Sequence, residues 1–252
     1  MRNCVFCGGP ANSREHVLAK RLCKRAKAET MEIIVGKMRE EDGVTKRPTH
    51  PLDELKVRRV CRDCNSGWMN DLEGWFEGRL GYLIEPEWPK LADATIEFVK
   101  NERVQLARWL MKTAVTMNLS SMVQRMFPDE LTLQLSSGYI PPSTYVDMGY
   151  SKLTTVACLL SQGFQVINGG HYHSNQIHRD KTGFRFTVQF NHLLLRIYRI
   201  PEAAATFWSH RGERPIMLYP NAIRTNPAWF EYEDIMAYDH NLVLETAGKK
   251  LA

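Results

Sequence analysis

Apolar residues recur at three- and four-residue spacing after Asn65, at Trp68, Leu72, Trp75, Phe76 and Leu80, which predicts a helix with Asn65 or Ser66 available as its N-cap. Glu85-Pro86-Glu87-Trp88-Pro89 breaks that pattern and marks a domain boundary. Beyond it, Val104, Ala107, Met111 and Ala114 form one stripe with Leu106, Leu110 and Met117 beside it. Arg103–Ser120 therefore reads as a second helix, its wide apolar face suited to a central, mostly buried position. After Phe127-Pro128 the texture turns to strands, at Leu131–Leu135, Leu153–Leu160, Phe164–Ile167, Phe184–Phe190 and Leu193–Ile200. Turns are expected at Ser161-Gln162-Gly163 and Asn191-His192.

The first 64 residues are more broken. Cys4-Val5-Phe6-Cys7-Gly8-Gly9 has glycines suited to a tight turn, Ala19–Lys27 is basic and helix-friendly, and Met31–Gly36 carries a short strand-like run. Glu40–Pro51 reads as a loop, and Lys56–Cys61 as a strand. The expected fold class is α+β: a small N-terminal unit over residues 1–80, then an α+β domain with an antiparallel sheet over about 90–252.

A chain of 252 residues, 44% hydrophobic and 24% charged, can bury a core, which excludes disordered, collagenous and low-complexity classes. No apolar run approaches the roughly 18 residues a spanning helix needs, so no membrane partner is expected. Met1-Arg2-Asn3-Cys4 has no apolar stretch of the signal-peptide kind and already carries a cysteine; a reducing, cytoplasmic location is expected. The net charge of +5 is uneven. Residues 1–64 hold 15 Lys+Arg against 9 Asp+Glu, while the rest is close to neutral. Five of the six cysteines lie in the same quarter, so excess charge and thiols coincide.

Cys4-x2-Cys7 and Cys61-x2-Cys64 are two thiolate pairs 53 residues apart. Two such knuckles complete a closed tetrahedral Zn²⁺ site, which makes a structural zinc the leading reading. A redox pair is the alternative, but Cys4 leaves no room for the buried strand that precedes such motifs. Cys23 and Cys158 are expected to be buried free thiols.

Glu15-His16 follows the first knuckle and Asn65 immediately follows the second, in Cys61-Arg62-Asp63-Cys64-Asn65. In these features the chain resembles the HNH endonucleases, the ββα-metal nuclease superfamily, in the subgroup stapled by four cysteines. The stretch Cys61–Glu73 also looks like a tail seen in phage and bacterial HNH-type proteins, and the resemblance covers about residues 1–80. It implies His16 as the general base that activates water, and Glu15 and Asn65 as oxygen ligands of one catalytic Mg²⁺ or Mn²⁺ separate from the zinc. The reaction implied is hydrolysis of a nucleic-acid phosphodiester, in double-stranded DNA rather than RNA. Two departures stand out. Glu15 replaces the commoner Asp, and Lys56–Val60 lacks the middle Asn that orients the catalytic His in many members, which leaves two alternatives: a backbone carbonyl orients His16 instead, or the unit has degenerated to a zinc-dependent binding domain.

Arg14, Lys20, Arg21, Lys56, Arg58 and Arg59 surround the motif and are candidates for phosphate contact. His171 and His173 alternate along a candidate strand, with His178 nearby, but no third metal ligand accompanies them. The C-terminal domain is a candidate surface for a homodimer or a partner protein. The reading from a different class is a non-catalytic zinc-ribbon module that binds nucleic acid or protein.

Overall fold

In chain order the elements are β1 (Glu15–His16), α1 (Lys20–Arg25), β2 (Glu32–Ile34), β3 (Thr49–Pro51), β4 (Lys56–Val57), α2 (Arg62–Cys64), α3 (Asn70–Leu80), β5 (Ile96–Glu97), α4 (Lys100–Ser120) and α5 (Asp129–Thr132). They continue with β6 (Thr144–Ser161), β7 (Gly163–Asn168), β8 (His171–Ile177), β9 (Phe184–Arg199), β10 (Ala205–Trp208), β11 (Met217–Tyr219), β12 (Arg224–Thr225), β13 (Glu231–Tyr232), α6 (Ile235–His240) and β14 (Val243–Thr246). This computed structural model describes residues 2–29, 32–34, 49–86, 96–120, 126–161, 163–168, 171–177, 183–200, 205–208, 217–220, 224–225, 231–240 and 243–246. Most of the expected 40–51 loop, the turn residue Gln162, Trp88, Pro89 and His178 lie outside them.

The chain is a mixture of helix and mainly antiparallel sheet, as its patterning predicts. β6 and β9 pair antiparallel along most of their length, with β11 antiparallel and β13 parallel beside β6. A second sheet runs β10-β14-β7-β8, in which only the β14–β7 pairing is parallel. Among the described residues no helix is long and apolar enough to cross a membrane.

α4 extends the predicted Arg103–Ser120 helix by one turn at its start, and every residue from Trp109 to Asn118 is buried. Its burial comes from both sides of the sequence boundary. Phe76 of α3 stacks on Trp109 with ring centroids 3.8 Å apart, and both rings meet Phe190 of β9 at 6.2 and 6.1 Å. Residues before position 86 and after position 96 thus share one apolar core.

Four local expectations are corrected. Leu131–Leu135 is not a strand: Pro128 leads into α5, whose first turn carries Asp129 and Glu130 at the end that favours acids, and a 3-10 turn over Leu135–Ser137 follows. A short apolar run does not distinguish the two states by itself. Asn191-His192 is no hairpin turn but lies inside β9, where Asn191 takes φ 53° opposite a register shift between Tyr150 and Thr155 of β6. The left-handed tolerance of Asn, a turn signal in sequence, here serves a bulge. The strand expected over Lys56–Cys61 is confined to Lys56–Val57. Finally, the helix after the second knuckle starts at Arg62, and its N-cap is Cys61, whose sulfur accepts from Cys64 N at 3.3 Å.

Candidate metal centre and adjoining cleft

The first knuckle closes on itself: Cys4 N donates to Gly9 O at 2.7 Å, and Gly8 N to Cys4 O at 2.9 Å. Gly8 makes that turn at φ 75°, in the left-handed region glycine favours. The approach to the second knuckle is tied to it by Val5 N to Arg59 O at 3.0 Å, Ser13 N to Val60 O at 3.1 Å and Arg62 N to Asn12 Oδ1 at 2.8 Å. These bonds bring the sulfurs of Cys4, Cys7, Cys61 and Cys64 within 4.8 Å of one another, with Cys7 and Cys61 at 3.5 Å. A Zn–S bond of about 2.3 Å in tetrahedral geometry spaces sulfurs by about 3.8 Å, so the cluster fits a structural zinc. Burial pushes the Cys64 thiol well up, and a bound cation would replace its proton. Phe6 inside the knuckle meets the Trp68 ring edge-on at 5.3 Å, and Arg108 of α4 lies 5.3 Å over the same indole. Burial pushes Cys23 and Cys158 up to about 12, so both are protonated at neutral pH.

Beside this cluster lies a cleft of about 580 Å³ lined by Glu15, His16, Ala19, Lys20, Arg21, Asn65, Ser66, Asn70 and Glu73. Glu15, His16 and Asn65 therefore share one cleft despite a sequence separation of about 50 residues. Glu15 and His16 are delivered by β1, paired antiparallel with Lys56–Val57 of β4 and continued by Val17 N to Leu55 O at 2.9 Å. Asn65 comes from the first turn after the second knuckle, just before the backbone departs from helical geometry at Gly67 (φ −93°, ψ −119°). Its N–H reaches Cys61 O at 3.1 Å, and its Nδ2 donates to Ser13 Oγ at 3.2 Å and Arg14 O at 3.3 Å. Oδ1 is left as the end of the amide able to serve as a ligand.

The half-buried His16 has an Nε2 that is covered and makes no hydrogen bond. Burial, then Lys56 and Lys20, lower its proton affinity, with Asp53 acting weakly the other way. The imidazole is thus kept neutral at neutral pH.

Comparison of the chain with models of known protein families, with curated proteins and with solved structures finds no match. The chemistry of the cleft rests on its own residues.

Two partners of Glu15, Glu73 in the cleft wall and Lys112 buried behind it, escaped the sequence pattern. Glu15, 7% exposed, sets Oε1 3.1 Å from Nζ of Lys112, which is fully buried in α4 and also donates to Glu73 Oε1. Burial raises the proton affinity of the Glu15 carboxyl against the pull of Lys112. For Lys112 burial acts to lower it, but Glu73 and Glu15 outweigh that and keep the ammonium charged. The available signal was a lone lysine in an otherwise apolar and small-polar stretch, Trp109–Asn118, and it could have been read as a buried charge in need of a partner.

The basic candidates disperse. Lys20 and Arg21 line the cleft; Lys20 lies 3.6 Å from Asp53, and Arg21 lies 3.0 Å from Glu77 and donates to Asn70 O. Lys56 is exposed and close enough to act on His16. Arg14 and Arg58 are exposed, while Arg59 Nε donates to Asn3 O at 3.2 Å and helps hold the knuckle. His171 and His173 sit two residues apart on β8.

Proposed function

We propose that the protein is a metal-dependent endonuclease of the HNH type, with residues 1–80 carrying the zinc-stapled catalytic unit and residues 90–252 an accessory domain. The observation that carries this reading is the shared cleft of Glu15, His16 and Asn65 beside the four-cysteine cluster. The carboxylate of Glu15 and the free Oδ1 of Asn65 are hard oxygen donors of the kind that suit Mg²⁺ or Mn²⁺. Such an ion would supply neutralisation of the charge that develops on the phosphate oxygens. His16 holds the proton: its neutral imidazole accepts it from the attacking water as the new P–O bond forms and the ester P–O bond breaks. Lys20 and Arg21 grip the phosphate backbone, for which DNA is the preferred substrate. Plasmid incubated with Mg²⁺ or Mn²⁺ should be nicked or cut by wild type and left intact by His16→Ala or in EDTA. Cutting that survives His16→Ala removes the base from this scheme.

A second reading, a non-catalytic zinc-dependent binding module, draws on two specific observations. Glu15 is already engaged by Lys112, and His16 Nε2 is covered. Retention of DNA on the zinc-loaded protein with no cleavage under any divalent ion would favour it.

A further inference from the structure

Lys112 raises a question the nuclease reading does not answer. Its side chain is fully buried, so it reaches no substrate in the cleft, yet it spends its charge on two carboxylates that line that cleft. One ammonium faces two carboxyl groups in a shielded place, and the second oxygen of Glu73 is buried with no hydrogen-bond partner. Glu73 itself is 4% exposed and approaches from α3, while Glu15 approaches from β1 and Lys112 from α4. Three distant segments thus converge on a point built to hold a positive charge, with an acceptor to spare. An ammonium offers three donors but no coordination shell, whereas a divalent ion is held by just such carboxylate oxygens.

We propose that Glu15 and Glu73 form one paired-carboxylate cation site in which the Lys112 ammonium stands as a built-in competitor of a divalent ion. The inference rests on the reading that a divalent ion binds at Glu15, and it adds Glu73 as a ligand and Lys112 as the group that weakens the site. Metal affinity is then set by the competition between an attached monovalent cation and a free divalent one for the same two charges.

The test is calorimetric titration of the zinc-loaded full-length chain with manganese chloride, with Tm measured with and without Mn²⁺. Lys112→Met should bind Mn²⁺ more tightly than wild type by about tenfold or more, with a larger Mn²⁺-dependent rise in Tm. Adding Glu73→Gln to that variant should cancel the gain. Affinity no tighter than wild type, or a gain that survives Glu73→Gln, overturns the proposal. If Lys112→Met folds only when refolded with Mn²⁺, that rescue supports it. If the variant does not fold even then, Glu73→Gln alone decides. That variant keeps Lys112 paired with Glu15 and should weaken Mn²⁺ binding by about tenfold; unchanged binding overturns the proposal. The two readings fail separately. DNA cutting through His16 with no Mn²⁺ gain in Lys112→Met sinks the competitor and keeps the nuclease, whereas Mn²⁺ gain without cutting keeps the cation site alone.

Discussion

Lys112 Nζ lies 3.1 Å from Glu15 Oε1, and this contact joins the middle of the long α4 helix to a strand 97 positions earlier. Because Glu73 shares the same ammonium, the three side chains form a buried set in which the members are not equivalent. Removing Lys112 leaves two carboxylates facing each other without a cation; removing Glu15 leaves Lys112 still paired.

Unfolding of the zinc-loaded chain without added Mg²⁺ or Mn²⁺ should reflect that asymmetry. Lys112→Met is expected to destabilise by about 3–5 kcal/mol, as for other broken buried pairs. Glu15→Gln, which keeps a hydrogen-bonding oxygen, should cost only about 1–2 kcal/mol. Urea denaturation followed by Trp fluorescence measures both, and equal losses would show that Glu73 does not share the lysine.

Cys61 has two tasks, since its sulfur belongs to the four-cysteine cluster and caps the following helix. Cys61→Ser should therefore abolish stoichiometric zinc, reducing it from about one ion per chain, and unfold or aggregate the N-terminal unit. Cys158→Ser, at a cysteine outside the cluster, should keep its zinc. Colorimetric zinc release on both variants is the check, and a zinc-loaded Cys61→Ser protein with normal melting would remove Cys61 from the site.

Stability should fall on mild acidification because of His16. Burial and the nearby lysines hold its folded pKa below the ordinary value of 6.5, so the unfolded chain takes up the proton first. The stability that the neutral imidazole contributes is present above pH 6.5 and is lost as pH falls from there toward the lower folded value. Wild type should lose stability relative to His16→Gln in that window, at no more than about 1.4 kcal/mol per pH unit. Parallel denaturation series without added divalent ions test the sign, and a relative gain on acidification would contradict it. Cleavage, being dependent on the same neutral form, should persist to lower pH than an unperturbed histidine allows.

Asn191, on β9 opposite the β6 register shift, ties the sheet to the N-terminal part, its Nδ2 donating to Ala26 O at 3.1 Å and Ile84 O at 2.6 Å. Asn191→Ala strands two buried carbonyls and puts at φ 53° a residue without the tolerance of Asn for the left-handed region. A loss of roughly 2–4 kcal/mol is expected. Asn191→Gly relieves the backbone term but not the carbonyls, and should fall between alanine and wild type in Tm.

Asn65→Ala should depress cleavage by about tenfold or more while zinc content stays near wild type, since its amide is outside the sulfur cluster. Equal loss of both would make Asn65 a structural brace through Ser13 and Arg14.

What could be read in the sequence was whatever a few neighbouring residues encode. Two Cys-x2-Cys pairs set sulfurs on tight turns, so their clustering was legible from spacing. The 3.6-residue periodicity of Trp68–Leu80 and Val104–Met117 identified the two central helices, because a buried face repeats with the helix itself. Leu131–Leu135 and Asn191-His192 were misread because a short apolar run and a left-handed Asn each fit two local structures, and packing selects between them. The helix cap passed from Asn65 to Cys61 because the knuckle starts the helix one turn earlier. That Glu15, His16 and Asn65 share a cleft depends on strand pairing and knuckle closure together, which sequence proximity to the cysteines only hinted at. The ion set of Glu15, Glu73 and Lys112 was decided by tertiary structure alone. A buried charge chooses its partners through the packing of α3, α4 and β1, and no periodicity records where three distant segments will meet.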